Sequence, residues 1–381
     1  MFPLLGLKKP DQLLALIDFC FSPDPASESS RLIDRCLQED LLTGEQYRIL
    51  PLMYGKTALE RLSPSSISKV QSAYKHTFYR NHVLLNRASV LRSRLIERGF
   101  AEPVFLKGVP NCLRSASGIG SRPMVDVDLL IPDMHLKPDM VLSFFKEYDF
   151  KSLGSSVRSV TGESPEGFQF DFHWYLSDWA VSSSVVEQLV NGSECLSCRQ
   201  VAFRVPCIEH HLVHVIGHGM FDEHLAMDAR WVVDVLMLLH GRFDFSEDRI
   251  VELTDRTQGR ARIQSGLRLL AQHTPEQIQI DRDVLLAAAD RIRPMSRGST
   301  WLLDRKLITD STHTGRYSKK DLIKDVLTTY IYTPFLLCRE NRLPLRFAIG
   351  LVFGFPLEPI SRCIVLFRLK VKKHFYRLFE V

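Results

Sequence analysis

Arg122-Pro123-Met124-Val125-Asp126-Val127-Asp128-Leu129-Leu130-Ile131 is the stretch on which the fold turns. Across 124–131 apolar and acidic residues alternate, and a period of two is that of a strand. Asp126 and Asp128 therefore fall on one face, with Val125, Val127 and Leu129 on the other. Carboxylates at i and i+2 lie about 7 Å apart along one face, so they can converge on a hard cation while the opposite face packs in a core. An Asp-x-Asp pair by itself is common in surface loops. Inside an apolar strand, unpaired carboxylates carry a desolvation cost of several kcal/mol that a cation or hydrogen bonds must offset.

Working outward, the pattern over 12–98 is helical, most clearly at 72–98. There Tyr79, Val83, Leu84, Ala88, Leu91 and Leu95 are expected to form one core-facing stripe. Gly99 stops that helix, and Pro103-Val104-Phe105-Leu106 reads as a short buried strand entering Lys107-Gly108. Residues 109–114 can begin another helix, and the Ser- and Gly-rich segment 115–123 is a loop. Residues 137–147 read as a helix. Residues 167–176 read as a strand with Phe170, Phe172 and Trp174 on one face and Asp171 and His173 on the other. A last strand at 200–205 leads through Pro206 into a helix carrying His210, His214 and His218, and the remainder is mainly helical.

The chain has 381 residues, 45% of them hydrophobic, enough for a substantial core, which excludes disorder throughout. A formal charge of +5 suits anionic partners without choosing among them. Eight cysteines are too sparse for a disulfide framework and read as reduced thiols. The opening Met-Phe-Pro-Leu-Leu-Gly-Leu lacks a secretory pattern, so a cytoplasmic location is expected. The apolar stretch 347–357 is too short to span about 30 Å of hydrocarbon.

The sequence resembles the uncharacterised nucleotidyltransferases of the DNA polymerase beta-like superfamily. The resemblance rests on Val104-Phe105-Leu106-Lys107-Gly108, on Arg122 to Ile131 as quoted, and on Asp171-Phe172-His173-Trp174. It continues through His210-His211-Leu212-Val213-His214-Val215-Ile216-Gly217-His218-Gly219 and Arg230-Trp231-Val232-Val233-Asp234, covering about 74–272. It implies an α+β fold, with a small mixed β-sheet nucleotidyltransferase core (101–206) flanked by N-terminal (1–100) and C-terminal (207–381) helical regions. It also implies that Asp126 and Asp128 bind catalytic Mg2+ or Mn2+, that Asp171 supplies the third carboxylate, and that Gly108 lies beside a nucleoside triphosphate. A glycine at a strand-to-helix turn allows close backbone approach, consistent with that placement. Lys107, Arg122 and His173 are the remaining nucleotide contacts expected, the two cations acting on the phosphates or leaving group. The broader superfamily usually has Gly followed by Ser or Gly, whereas this chain has Lys107-Gly108-Val109.

The expected activity is transfer of a nucleoside monophosphate from a nucleoside triphosphate to a hydroxyl or phosphate acceptor. The competing reading is a non-catalytic nucleotide-binding or scaffold protein of a biosynthetic pathway. Nucleic acid is not an expected partner, because no basic stripe with interleaved aromatics lies near the motifs. His210, His214 and His218 share one helix face, where core or substrate-facing roles outweigh zinc ligation. Cys195 and Cys198 form an isolated CxxC, and Asp234 is expected to pair with Arg230 at i+4. At the C-terminal end, Ile364, Phe367, Val371, Phe375 and Leu378 alternate with basic residues. A solvated packing helix explains that pattern better than peripheral membrane contact, which stays the alternative.

Overall fold

The computed structural model describes residues 10–133, 138–155, 159–177, 180, 182–198, 200–221, 230–257 and 259–293. The apolar stretch 347–357 and the basic segment after it lie outside the described residues.

The chain opens with helices α1 (Pro10–Phe21), α2 (Ser27–Gln38) and α3 (Gly44–Tyr47), then the long α4 (Pro64–Glu97). Thr43 and Gln46 form a reciprocal capping box on α3, and the Ser63 hydroxyl accepts from Ser66 N to start α4 just ahead of Pro64. The buried stripe of α4 is Asn81, Leu84, Leu85, Ala88, Leu91 and Leu95. Tyr79, expected on it, is 74% exposed. It stands five residues before Leu84, which rotates it about 140° off that face.

After α4 come β1 (Val104–Phe105), α5 (Gly108–Arg114), β2 (Asp126–Leu130), α6 (Pro138–Glu147), β3 (Lys151–Ser155), β4 (Ser159–Glu163) and β5 (Gln169–His173). The sheet order is β1-β2-β5-β4-β3. Only β2 and β5 run parallel, with Asp128 opposite Asp171, and the other neighbours are antiparallel. Val125, expected in the core, is 44% exposed because the strand begins one residue later. Behind the sheet, Val127, Leu129, Phe170, Phe172 and Trp174 pack with Phe144 of α6 and the α4 stripe in one hydrophobic cluster.

Helix α7 (Ser183–Asn191) precedes the hairpin β6 (Ser193–Cys198) and β7 (Val201–Pro206), whose Phe203 meets Phe105 edge-on at 5.2 Å. Helices α8 (Ile208–Phe221), α9 (Arg230–Leu239), α10 (Glu247–Asp255), α11 (Arg260–His273) and α12 (Arg282–Arg291) follow. These share a second cluster with α1 and α2, and Val104, Leu106 and Leu130 reach into it from the sheet. The fold is α+β, a mixed five-stranded sheet set among helices. Among the described residues no helix is long and apolar enough to cross a membrane.

Candidate active site

The in-register parallel pairing of β2 with β5 puts Asp128 beside Asp171. Because Val127, Leu129, Phe170 and Phe172 point to the other face, Asp126, Asp128 and Asp171 share one, along with Leu130, which packs into the second cluster. Ligand atoms of Asp128, Asp171 and His173 all lie within 4.8 Å of one another, a group able to share an ion. Asp126 falls outside that tight group, yet it feels the charges of both Asp128 and Asp171.

Asp128 is the electrostatic centre. Burial opposes its charge, but the Lys107 ammonium and a hydrogen bond from His173 outweigh burial and hold the carboxyl well below the usual carboxylate range. Lys107 Nζ donates to Asp128 Oδ1 at 2.7 Å, and His173 Nε2 lies 3.1 Å from the same oxygen. An ionised carboxylate only accepts, so Nε2 carries the proton, while His173 Nδ1 is buried with no hydrogen-bond partner. Asp126 behaves oppositely. Burial pushes its carboxyl up, Asp128 and Asp171 push further, and Lys107 and Arg122 only partly offset them.

Lys107 reaches Asp128 from a backbone of φ 48°, at the turn between β1 and α5. A non-glycine residue there costs about 1–3 kcal/mol and persists only where its surroundings enforce it. Enforcement comes from Leu106 N, which donates to Asp128 O at 2.9 Å, and from the ion pair itself. Gly108 is packed from its side-chain direction. A Cβ added there would stand 2.8 Å from Arg122 Nη1 and 2.9 Å from Met124 Cγ. Arg122 is engaged by Asp234 of α9 at 2.6 and 2.8 Å, bidentate. Asp234 thus joins a residue far away in sequence.

The remaining candidates lie elsewhere. His210 and His214 are buried on α8, and His210 lines a cleft of about 670 Å3 with Glu187, Gln188 and Arg249, none of them in the carboxylate cluster. His211, not singled out in the sequence, is fully buried with Nδ1 3.1 Å from Arg114 Nη1, and Arg114 also bonds Glu194 and the Pro206 carbonyl. Cys195 and Cys198 sit on β6 as reduced thiols, Cys195 exposed.

Two carboxylates and an imidazole fit a divalent cation by donor type, since carboxylate oxygens suit magnesium and manganese and imidazole is a ligand for transition ions. A family model for uncharacterised nucleotidyltransferases matches residues 41–275, more than half of the chain. The chain belongs to this family. The matched residues of this nucleotidyltransferase-family chain include every aspartate of the cluster together with Lys107, Arg122 and Asp234. Among solved structures, an antigenic nucleotidyltransferase-like protein from Paracoccidioides brasiliensis is 16% identical. That match covers 56% of this chain and 94% of the other, with a TM-score of 0.34. No curated protein matches.

Proposed function

We propose that the chain is a metal-dependent nucleotidyltransferase, moving a nucleoside monophosphate from a nucleoside triphosphate to a hydroxyl or phosphate acceptor. The observation that carries this reading is the convergence of Asp128, Asp171 and His173 within 4.8 Å on one face of a parallel strand pair, with Asp128 and His173 buried and Asp171 half-buried. Asp128 and Asp171 would hold Mg2+ or Mn2+, with Asp126 at the rim of the same face. Such a cation, once bound, neutralises charge on the triphosphate and on departing pyrophosphate.

The protein's own groups do the rest. Lys107, which pairs with Asp128 while its side chain is 22% exposed, would turn toward a phosphate once a cation took its place on Asp128. His173 holds Asp128 in place through Nε2 and fixes its orientation. Asp171, half-buried and opposite Asp128, would accept the proton of the acceptor hydroxyl.

A second reading, a nucleotide-binding or scaffold protein without turnover, draws on the same Lys107. Its ammonium sits on Asp128 where a cation would, and Gly108 is followed by valine instead of a hydroxyl residue. Calorimetry with each triphosphate, in Mg2+ or Mn2+, followed by a mass-shift screen of acceptors, separates the two. An enzyme gives binding and pyrophosphate release, both lost in Asp128→Asn. Binding that survives Asp128→Asn, or binding with no release on any acceptor, overturns the enzyme reading.

A further inference from the structure

We propose that Asp234 is a positioning residue of the carboxylate site: through Arg122 it clamps the Lys107-Gly108 turn against the strand that carries Asp126 and Asp128. The inference rests on the functional reading above for what the site binds, and on separate geometry for the clamp.

Asp234 accepts from Arg122 Nε at 2.6 Å and from Nη2 at 2.8 Å, with the two side chains only 8% and 12% exposed. A bidentate pair fixes the plane of the guanidinium as well as its position. The third nitrogen, Nη1, lies over Gly108 and donates to Pro123 O at 3.4 Å. Glycine at 108 is what lets the guanidinium come that close. A side chain there would meet Arg122 and Met124 together.

The other end of the segment is equally fixed. Asn81 Nδ2 donates to Ile119 O at 2.6 Å and to Arg122 O at 2.7 Å, while Asn81 Oδ1 accepts from Met124 N at 3.1 Å. Arg80 adds a bond from Nε to Met124 O at 3.2 Å. Residues 122–124 are thereby held between α4 and α9 just ahead of Asp126. The Arg122 guanidinium, committed to Asp234, spans from this segment to the turn bearing Lys107. Moving Asp234 would free both the turn and the entry to β2, and so change the distances among Lys107, Asp126 and Asp128. This assigns Arg122 to positioning, in contrast to the phosphate contact expected from sequence.

The test uses the full chain and Mn2+ as probe, read by electron paramagnetic resonance and by titration with and without a triphosphate. Asp234→Asn keeps the shape and removes the charge, and Arg122→Lys keeps the charge and removes the fork. Each is expected to weaken Mn2+ binding about 10- to 100-fold, the usual effect of losing a group that orients metal ligands. Each is also expected to broaden the Mn2+ spectrum, and Asp234→Glu to recover part of the affinity. The double variant should be no worse than either single. If Asp234→Asn binds like wild type while Arg122→Lys loses triphosphate affinity, Arg122 is a phosphate contact and the clamp is overturned.

Hydrogen exchange of the amides at 107–114 reads the clamp without any metal. Faster exchange in both variants, with circular dichroism unchanged, supports it, and unchanged exchange refutes it. Wild type that binds no Mn2+ sinks the functional reading alone, and the exchange result still decides the clamp.

Discussion

Replacing Lys107 with methionine removes the ammonium from Asp128 while keeping a stem of similar length. The pair is 2.7 Å apart, with the side chains 22% and 3% exposed, so water screens it poorly. Breaking a buried ion pair from one side costs about 3–5 kcal/mol, and the lower end applies because His173 still donates to the same oxygen. For domains of 150–250 residues each kcal/mol moves Tm by about 2–4 °C, so a loss near 3 kcal/mol lowers the melting temperature by at most about 6–12 °C.

The sign with pH follows from Asp128. Its folded pKa is depressed, so the stabilisation is fully present above the ordinary value of 3.8 and is lost as pH falls through the folded value. The gap between Lys107→Met and wild type should therefore be wide at pH 7 and close in acid. Mn2+ should close it too. A cation at 100 times its Kd stabilises by about 2.7 kcal/mol, and in the variant it replaces the missing ammonium without having to displace one. Differential scanning fluorimetry at pH 7, at pH 4, where the gap should persist, and at pH 2, where it should narrow, with and without Mn2+, measures all of this. Equal melting temperatures for the two metal-free proteins at pH 7 would refute the role given to Lys107. An equal Mn2+ shift in both would refute the idea that ammonium and metal share one oxygen.

Gly219→Ala tests the packing of α8 on α9. A Cβ there would stand 2.3 Å from Trp231 Cγ, in an indole only 3% exposed. The helix-propensity gain of about 1 kcal/mol is outweighed by overpacking of about 1–3 kcal/mol, so urea unfolding should show a lower midpoint. In native protein at pH 8, iodoacetamide should modify Cys195 first among the six described cysteines. Burial pushes the thiols of Cys20 and Cys112 up to about 12, with Lys56 and Arg122 only partly opposing it, and peptide mass mapping reads the order.

The parts of the fold written in strong periodicity were legible in the sequence. The acidic strand, the Asp171 strand and the strand before α8 appear within a few residues of their expected ends, whereas the long helix ends where expected but starts at Pro64, eight residues ahead of the clearly periodic stretch. The strands β3, β4 and β6 were not. Lys151-Ser152-Leu153-Gly154-Ser155 and Ser159-Val160-Thr161-Gly162-Glu163 lack an apolar alternation, because β3 is an exposed edge and only the inner side of β4 meets the core. Ser193 to Cys198 hides for the same reason, as one half of a hairpin with much of its length in solvent.

At the site, the alternation of Asp126 and Asp128 with valine and leucine carried the residues that matter most, and the face shared by Asp171 and His173 was read from the same period. Partnerships were beyond reach. Nothing in the spacing of Arg122 and Asp234 shows that they meet, since α8 and α9 must first be folded over the sheet. Nor does Lys107 show its bond to Asp128, which depends on an unusual positive φ at the turn.

The parallel pairing of β2 and β5 also bears on how lengths can vary among related chains. Segment 131–168, which carries α6, β3 and β4, closes the crossover between those strands. Added or deleted residues in its turns would leave the carboxylates facing each other. A single residue inserted within β5 itself would bring a phenylalanine round to Asp128 and turn Asp171 into the core, so drift in length belongs to the turns and not to the strand.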